Sequence, residues 1–108
     1  MCRQILLFIL TIISLNVFAQ NQGSYTINGF VKDFETGEKL INAYVFDQVS
    51  KKGVTTNSYG FYSITLGRDT AAIEVQYIGY VPSVRGVPLN RRTATELDIE
   101  LTASKNIL

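Results

Sequence analysis

Gly29-Phe30-Val31-Lys32-Asp33-Phe34-Glu35-Thr36-Gly37-Glu38-Lys39-Leu40-Ile41-Asn42-Ala43-Tyr44-Val45 reads as a strand, a tight polar turn and the entry to a second strand. Around it Tyr25, Ile27, Gly29 and Val31 fall on one face and Thr26, Asn28 and Lys32 on the other. That period of two belongs to a half-buried strand. Phe30 breaks the alternation, which predicts partial cover on both faces. Gly29 in mid-strand predicts a bulge or a close backbone approach. Phe34 to Lys39 forms the turn, with Gly37 supplying a positive φ. Beyond it Leu40, Ala43 and Val45 point inward, and Ala43 is small enough for a place where two sheets come close.

The same grammar runs on to the C-terminal side. Asp47 to Gly53 is a polar hairpin loop with Lys51 and Lys52 at its tip, and Val54 to Asn57 a brief strand. In Asn57-Ser58-Tyr59-Gly60 the asparagine either adopts the left-handed conformation or bonds its own backbone. Tyr62, Ile64 and Leu66 form the next inward row, then Ile73, Val75 and Tyr77, with Glu74 and Gln76 facing out. Pro82 and Pro88 cannot donate to a ladder, so Ser83 to Leu89 is an edge strand or an extended loop. Thr95 to Leu101 closes the pattern, Leu97, Ile99 and Leu101 inward and Glu96, Asp98 and Glu100 outward. No helical period appears after Ala19. Six or seven short strands, with turns roughly every eight to twelve residues, predict an all-β sandwich. Residues 103–108 carry no pattern and read as a linker or tail.

The chain has 108 residues, the length of one domain. Residues 1–19 read as a cleaved export signal: Arg3, an apolar run from Ile5 to Leu15, and Val17-Phe18-Ala19 before the cleavage point. The run falls short of the roughly 20 apolar residues a spanning helix needs, so the mature chain is expected not to cross a membrane. Residues 20–24 form a polar, mobile leader. The single cysteine, Cys2, lies inside the signal and too early for a lipid-modified position. The mature chain then has no disulfide and must be held by its core, although it enters a compartment that permits disulfides. Net charge is +1, and loss of Arg3 takes it to zero. No basic stripe is present to hold nucleic acid. Arg85, Arg91 and Arg92, the densest positive group, read as a solvated loop or edge.

The chain contains no histidine, which removes histidine-based acid–base catalysis, Ser-His-Asp triads and histidine metal ligands together. Without a mature cysteine there is no thiol nucleophile and no thiolate metal site. No phosphate-binding glycine motif appears. No catalytic, cofactor or metal residues are therefore expected. Asp33, Glu35 and Glu38 could ligate calcium through oxygens, but without EF-hand spacing they read as a solvated turn. Asp47 and Lys51 read as a loop ion pair worth about 0–1 kcal/mol. The six tyrosines raise the possibility of sugar stacking, and Tyr59 and Tyr80, in turns, are the candidate ligand-binding residues. Tyr62 and Tyr77 fall on inward rows. A corner role, a buried ring with its hydroxyl bonded to backbone, suits Tyr77 or Tyr80 better than ligand contact.

The opening motif, Gly29 to Val45, resembles that of carboxypeptidase regulatory-like domains. Thr56-Asn57-Ser58-Tyr59-Gly60-Phe61-Tyr62-Ser63-Ile64 resembles the second motif, with Asn57 in place of the commoner aspartate. Val75-Gln76-Tyr77-Ile78-Gly79-Tyr80 resembles the third, and Leu97 to Leu101 the closing strand. The match covers roughly residues 25–102. It implies a seven-stranded antiparallel β-sandwich, a prealbumin-like or immunoglobulin-like Greek key, over those residues. With the preceding signal, it looks most like the N-terminal extension of SusC-type TonB-dependent outer-membrane receptors, placed on the periplasmic face. The fold also resembles transthyretin and its hydrolase relatives, whose chemistry relies on histidines that are missing here. About 100 residues cannot form a large barrel, so transport does not reside in this stretch.

The expected function is a non-enzymatic periplasmic accessory or interaction domain. Its partners would be other protein segments, a receptor plug or barrel or a TonB-system component, met through a sheet edge or loops. Of the edges, Val54–Asn57 reads as a better pairing strand than Ser83–Leu89. A carbohydrate-binding module and a structural spacer are the alternatives, the former with a glycan as partner.

Overall fold

The computed structural model describes residues 23–105. The expected export signal with Cys2, residues 20–22 of the leader and residues 106–108 of the tail lie outside the described residues. Eight strand segments follow in order: β1 (Tyr25–Asp33), β2 (Tyr44–Asp47), β3 (Gly53–Thr55), β4 (Phe61–Leu66), β5 (Thr70–Gln76), β6 (Ser83–Pro88), β7 (Thr95–Glu96) and β8 (Ile99–Leu101). They form two sheets, β4-β1 with β7 and β8, and β3-β2-β5-β6.

β7 and β8 pair β1 in one continuous register, Ile27 beside Thr95 and Val31 beside Ile99. They are one interrupted strand, so the sandwich has seven strands in effect. The break falls at Leu97–Asp98 because Gly29 lies opposite: a Cβ there would sit 2.0 Å from the Leu97 carbonyl oxygen. The Asp98 carboxylate accepts from the Phe30 N–H at 2.9 Å in place of the missing ladder bond. Close backbone approach is thus what Gly29 serves. The pairing of β1 with β7 and β8 is parallel, the one exception to an otherwise antiparallel sandwich. The crossover from β6 in the other sheet returns the chain at the Tyr25 end of β1, so the last strand runs alongside the first.

The core fills the space between sheets with the alternate residues of each strand. Ile27 and Val31 of β1, Tyr62 and Ile64 of β4, Ile73 and Val75 of β5, and Ile99 and Leu101 of β8 are all buried. Each such aliphatic side chain contributes about 1.5–3 kcal/mol. Ala43 is fully buried and Leu40 nearly so. Phe30, on the outer face of β1, packs edge-on against Phe61 at 5.4 Å with the Lys39 ammonium 4.1 Å above its ring. That cover explains a large apolar residue out of phase.

Turns follow their local chemistry. Gly37 has φ 74°. Asn57 bonds its own backbone, Oδ1 accepting from Tyr59 N–H and Phe61 N–H, and the left-handed conformation falls to Gly60 instead, with φ 73°. Asp47 does not form the expected ion pair with Lys51. Its carboxylate is buried and accepts from the backbone N–H groups of Ser50 and Ala72, each at 2.9 Å. Burial pushes its pKa up, but these bonds prevail and hold it below the usual carboxylate value. Asp47 thereby ties the β2–β3 loop to β5, a task that a solvated lysine pair would not perform. Ser83 to Pro88 is an edge strand, paired with β5 along its whole length from Val75–Ser83 to Thr70–Pro88.

Candidate functional site

Gln76-Tyr77-Ile78-Gly79-Tyr80 turns the chain out of β5. The Tyr77 carbonyl accepts from the Tyr80 N–H at 3.0 Å, and Gly79 has φ 87°. A positive φ at the third position is the type II geometry that glycine meets without strain. The turn throws Ile78 to its tip, where it is 97% exposed. Tyr80 folds back instead. Its ring packs on Tyr77 with centroids 5.4 Å apart, and its hydroxyl donates to Asp33 Oδ2 at 2.6 Å.

Asp33 ends β1 and is largely buried. Its Oδ1 accepts from the N–H groups of Glu35 and Thr36 at 2.7 and 2.9 Å. The Tyr80 hydroxyl, aided by the Thr36 and Glu35 amides, holds the Asp33 carboxyl below its ordinary range. The same bond pushes the Tyr80 phenol up to about 12. This carboxylate is therefore committed to the fold, and among the described residues no cluster of three potential metal ligands exists.

The chain leaves the last strand against this turn. Val81 N–H donates to Thr102 O at 2.9 Å, Ser104 N–H to Gly79 O at 2.8 Å, and Tyr80 bridges Ala103.

The facing wall comes from the approach to β2. Thr56, buried, donates its hydroxyl to Leu40 O at 2.6 Å and accepts from Ala43 N–H at 2.9 Å. Asn42 takes φ 64°, a conformation asparagine tolerates. Tyr44 stacks on Phe46 at 5.1 Å. It also lies over Gly53, where a Cβ would meet its hydroxyl at 2.5 Å. Across the sheet Tyr44 stands opposite Gln76.

Between the walls is an open groove of about 830 Å³, lined by Ile41, Asn42, Tyr44, Gln76, Tyr77, Ile78, Tyr80 and Pro82. Its size is that of a ligand site. Its lining is aromatic, aliphatic and amide, with no carboxylate or cationic side chain, so it can bind uncharged surface. It offers no acid–base pair.

Tyr80 lines this groove, through a ring whose hydroxyl is already engaged. Tyr59, 73% exposed, sits on the Asn57–Gly60 turn and does not line it, so the two tyrosines do not share one groove. The corner role falls to neither Tyr77 nor Tyr80. Tyr62 takes it: its ring is buried and its hydroxyl donates to Leu97 O at 2.6 Å. Burial and the nearby Asp98 charge push that phenol well up. Tyr80 misses the role because its hydroxyl donates to the Asp33 carboxylate and not to backbone. Tyr44, Asn42 and Gln76 were not legible as site residues. An outward aromatic between buried Ala43 and Val45 is the only trace Tyr44 leaves in the sequence.

A comparison with curated proteins returns no match. Among solved structures the chain is similar to a Bacteroides fragilis protein described as membrane-associated and of unknown function. The identity is 24% and the TM-score 0.57, over 79% of this chain and 30% of that one. This chain therefore spans under a third of that protein's length, and the likeness is one of fold. Residues 27–108 match the family profile of the CarboxypepD_reg-like domain, and the chain belongs to that family.

Proposed function

We propose that this chain is a non-enzymatic accessory domain that works by contacting other proteins, exported to the periplasmic face of the outer membrane as the N-terminal extension of a TonB-dependent receptor. The observation that carries the contact reading is the uncharged groove and its aliphatic rim. Ile78 is exposed almost completely, Val81 in the same β5–β6 loop is about half exposed, and so is Ile41, which lines the groove from the segment before β2. Apolar surface gathered at one end of a small domain marks a contact site. The absence of histidine speaks for binding over catalysis. The apolar run from Ile5 to Leu15 supports export. The receptor setting is supported by the motif resemblance and by the membrane association described for the Bacteroides fragilis protein.

The test is shift mapping of the labelled chain with receptor plug and with periplasmic TonB fragments. Perturbation of Ile41, Ile78 and Val81 by either is the expected result. No perturbation by either removes the reading.

Glycan binding is the second reading, favoured by Tyr44, Tyr77 and Tyr80 standing with the amides of Asn42 and Gln76 in one uncharged groove. Calorimetry against a glycan panel, with Tyr44→Ala as control, separates it from protein contact.

A further inference from the structure

The two sheets leave four edges, and they are not equivalent. On β4 the Lys52 ammonium donates to Thr65 O at 2.6 Å, placing a charge on that edge. β3, which the sequence favours as the pairing edge at Val54–Asn57, has only three residues, Gly53–Thr55, half the length of β6. The β7–β8 edge is broken at Leu97–Asp98 and carries Glu96, Asp98 and Glu100. β6 runs six residues without interruption.

Backbone geometry determines which groups of β6 are free. Leu89 N–H donates to Asp69 O at 2.8 Å, in register with the β5–β6 ladder. Opposed residues in an antiparallel pair alternate between bonded and non-bonded. Ser83, Arg85 and Val87 therefore bond β5, and Pro82, Val84, Gly86 and Pro88 turn their backbone outward. The two prolines have no N–H. The outward donors are the N–H groups of Val84 and Gly86 alone, bounded on each side by a proline. Val84 is about half exposed, Arg85 is exposed, and nothing lies within 4 Å of a Cβ placed on Gly86.

We propose that β6 takes a short extended segment of a partner protein as a fifth strand of the second sheet, paired across Val84–Gly86, with an aspartate or glutamate of the partner opposite Arg85. The inference rests on the reading of a protein-contact domain and names its surface and the partner's chemistry. Charge selects the partner. Arg85, Arg91 and Arg92 lie in or just after β6, and no acidic residue occurs from Ser83 to Arg92. Opposite charges facing across a strand pair stabilise it, and like charges oppose it. A second copy of β6, paired so that Val84 bonds Gly86 in both directions, would set Arg85 against Arg85. The prolines hold the partner to a short window and stop the pairing from spreading along the edge.

The test uses the labelled full chain and three synthetic strand peptides of alternating valine and threonine with a central glutamate, glutamine or lysine. The glutamate peptide is expected to shift the Val84 and Gly86 amides, slow their hydrogen exchange, and bind up to about fivefold more tightly than the glutamine peptide. The lysine peptide binds weakest, and Arg85→Glu reverses the order. Equal binding of all three overturns the proposal, as does protection of the same amides by self-association without peptide. Shifts confined to Ile78 and Tyr80 overturn it while leaving the groove reading standing. Silence at both places, with plug and TonB fragments also inert, removes both.

Discussion

The Tyr80 hydroxyl and the Asp33 carboxylate, 47 residues apart in sequence, meet at 2.6 Å and join the turn after β5 to the end of β1 in the opposite sheet. One bond thereby anchors a groove wall, caps the β1 turn and steadies the segment against which Thr102 to Ser104 leaves the fold.

This bond gives stability a pH dependence at both ends. Tyr80 has its folded pKa raised from 10.0 to about 12, so its contribution is full below pH 10 and is lost as pH rises through about 12. Asp33 has its folded pKa lowered from 3.8, so its contribution is present above that value and is lost as pH falls through the folded one. Thermal melts of Tyr80→Phe against the parent chain check this. The difference between them is expected to be constant near neutrality and to shrink on both flanks, with Tyr62 titrating in both proteins alike.

Gly29→Ala is expected to cost about 3 kcal/mol, the upper end of overpacking effects. Its Cβ would press first on the Leu97 backbone at 2.0 Å and then on the Asp98 carboxylate at 2.9 Å, both in the closing segment that pairs with β1. Gly86→Ala, in open space on β6, is expected to stay within about 0.5 kcal/mol of the parent. Urea unfolding of the pair measures the contrast, and equal midpoints would refute the close-approach account.

Thr56→Val keeps shape but removes a buried hydroxyl that serves Leu40 O and Ala43 N–H at once. About 1–3 kcal/mol should be lost, because both backbone groups are left without that partner. Faster hydrogen exchange at Ala43 is the local signature to look for.

Ile78→Ser should leave stability within about 0.5 kcal/mol, since the side chain is almost wholly in solvent. It is nonetheless expected to weaken capture of the partner by the groove. A variant that unfolds more easily, or one that binds the plug or TonB fragments unchanged, would count against the rim as the contact surface.

Much of the architecture was legible in the residues because its signals are local. Period-two burial in β1, β4 and β5 needs only neighbours along the strand. The turn at Gly37 needs only a residue that accepts a positive φ, Asn57 to Gly60 reads as a turn from its residue types although the left-handed residue is Gly60 and not Asn57, and Gly29 signals either a bulge or a close approach. What lay beyond reach involved partners far along the chain. The parallel closing strand follows from which end the crossover returns to, and alternation is the same for either direction.

The candidate site shows the same division. The sequence marks Tyr80 by its place in a turn, but its engagement by Asp33 depends on how one sheet lies over the other. Tyr44 and Gln76 face each other only through the β2–β5 register. The apolar rhythm of the chain settled that two layers of strands would bury a common core, since that choice depends on side-chain order alone. The groove, the Asp33–Tyr80 bond and the proline-bounded edge of β6 were decided by tertiary structure, because each depends on distances between segments that no local pattern encodes.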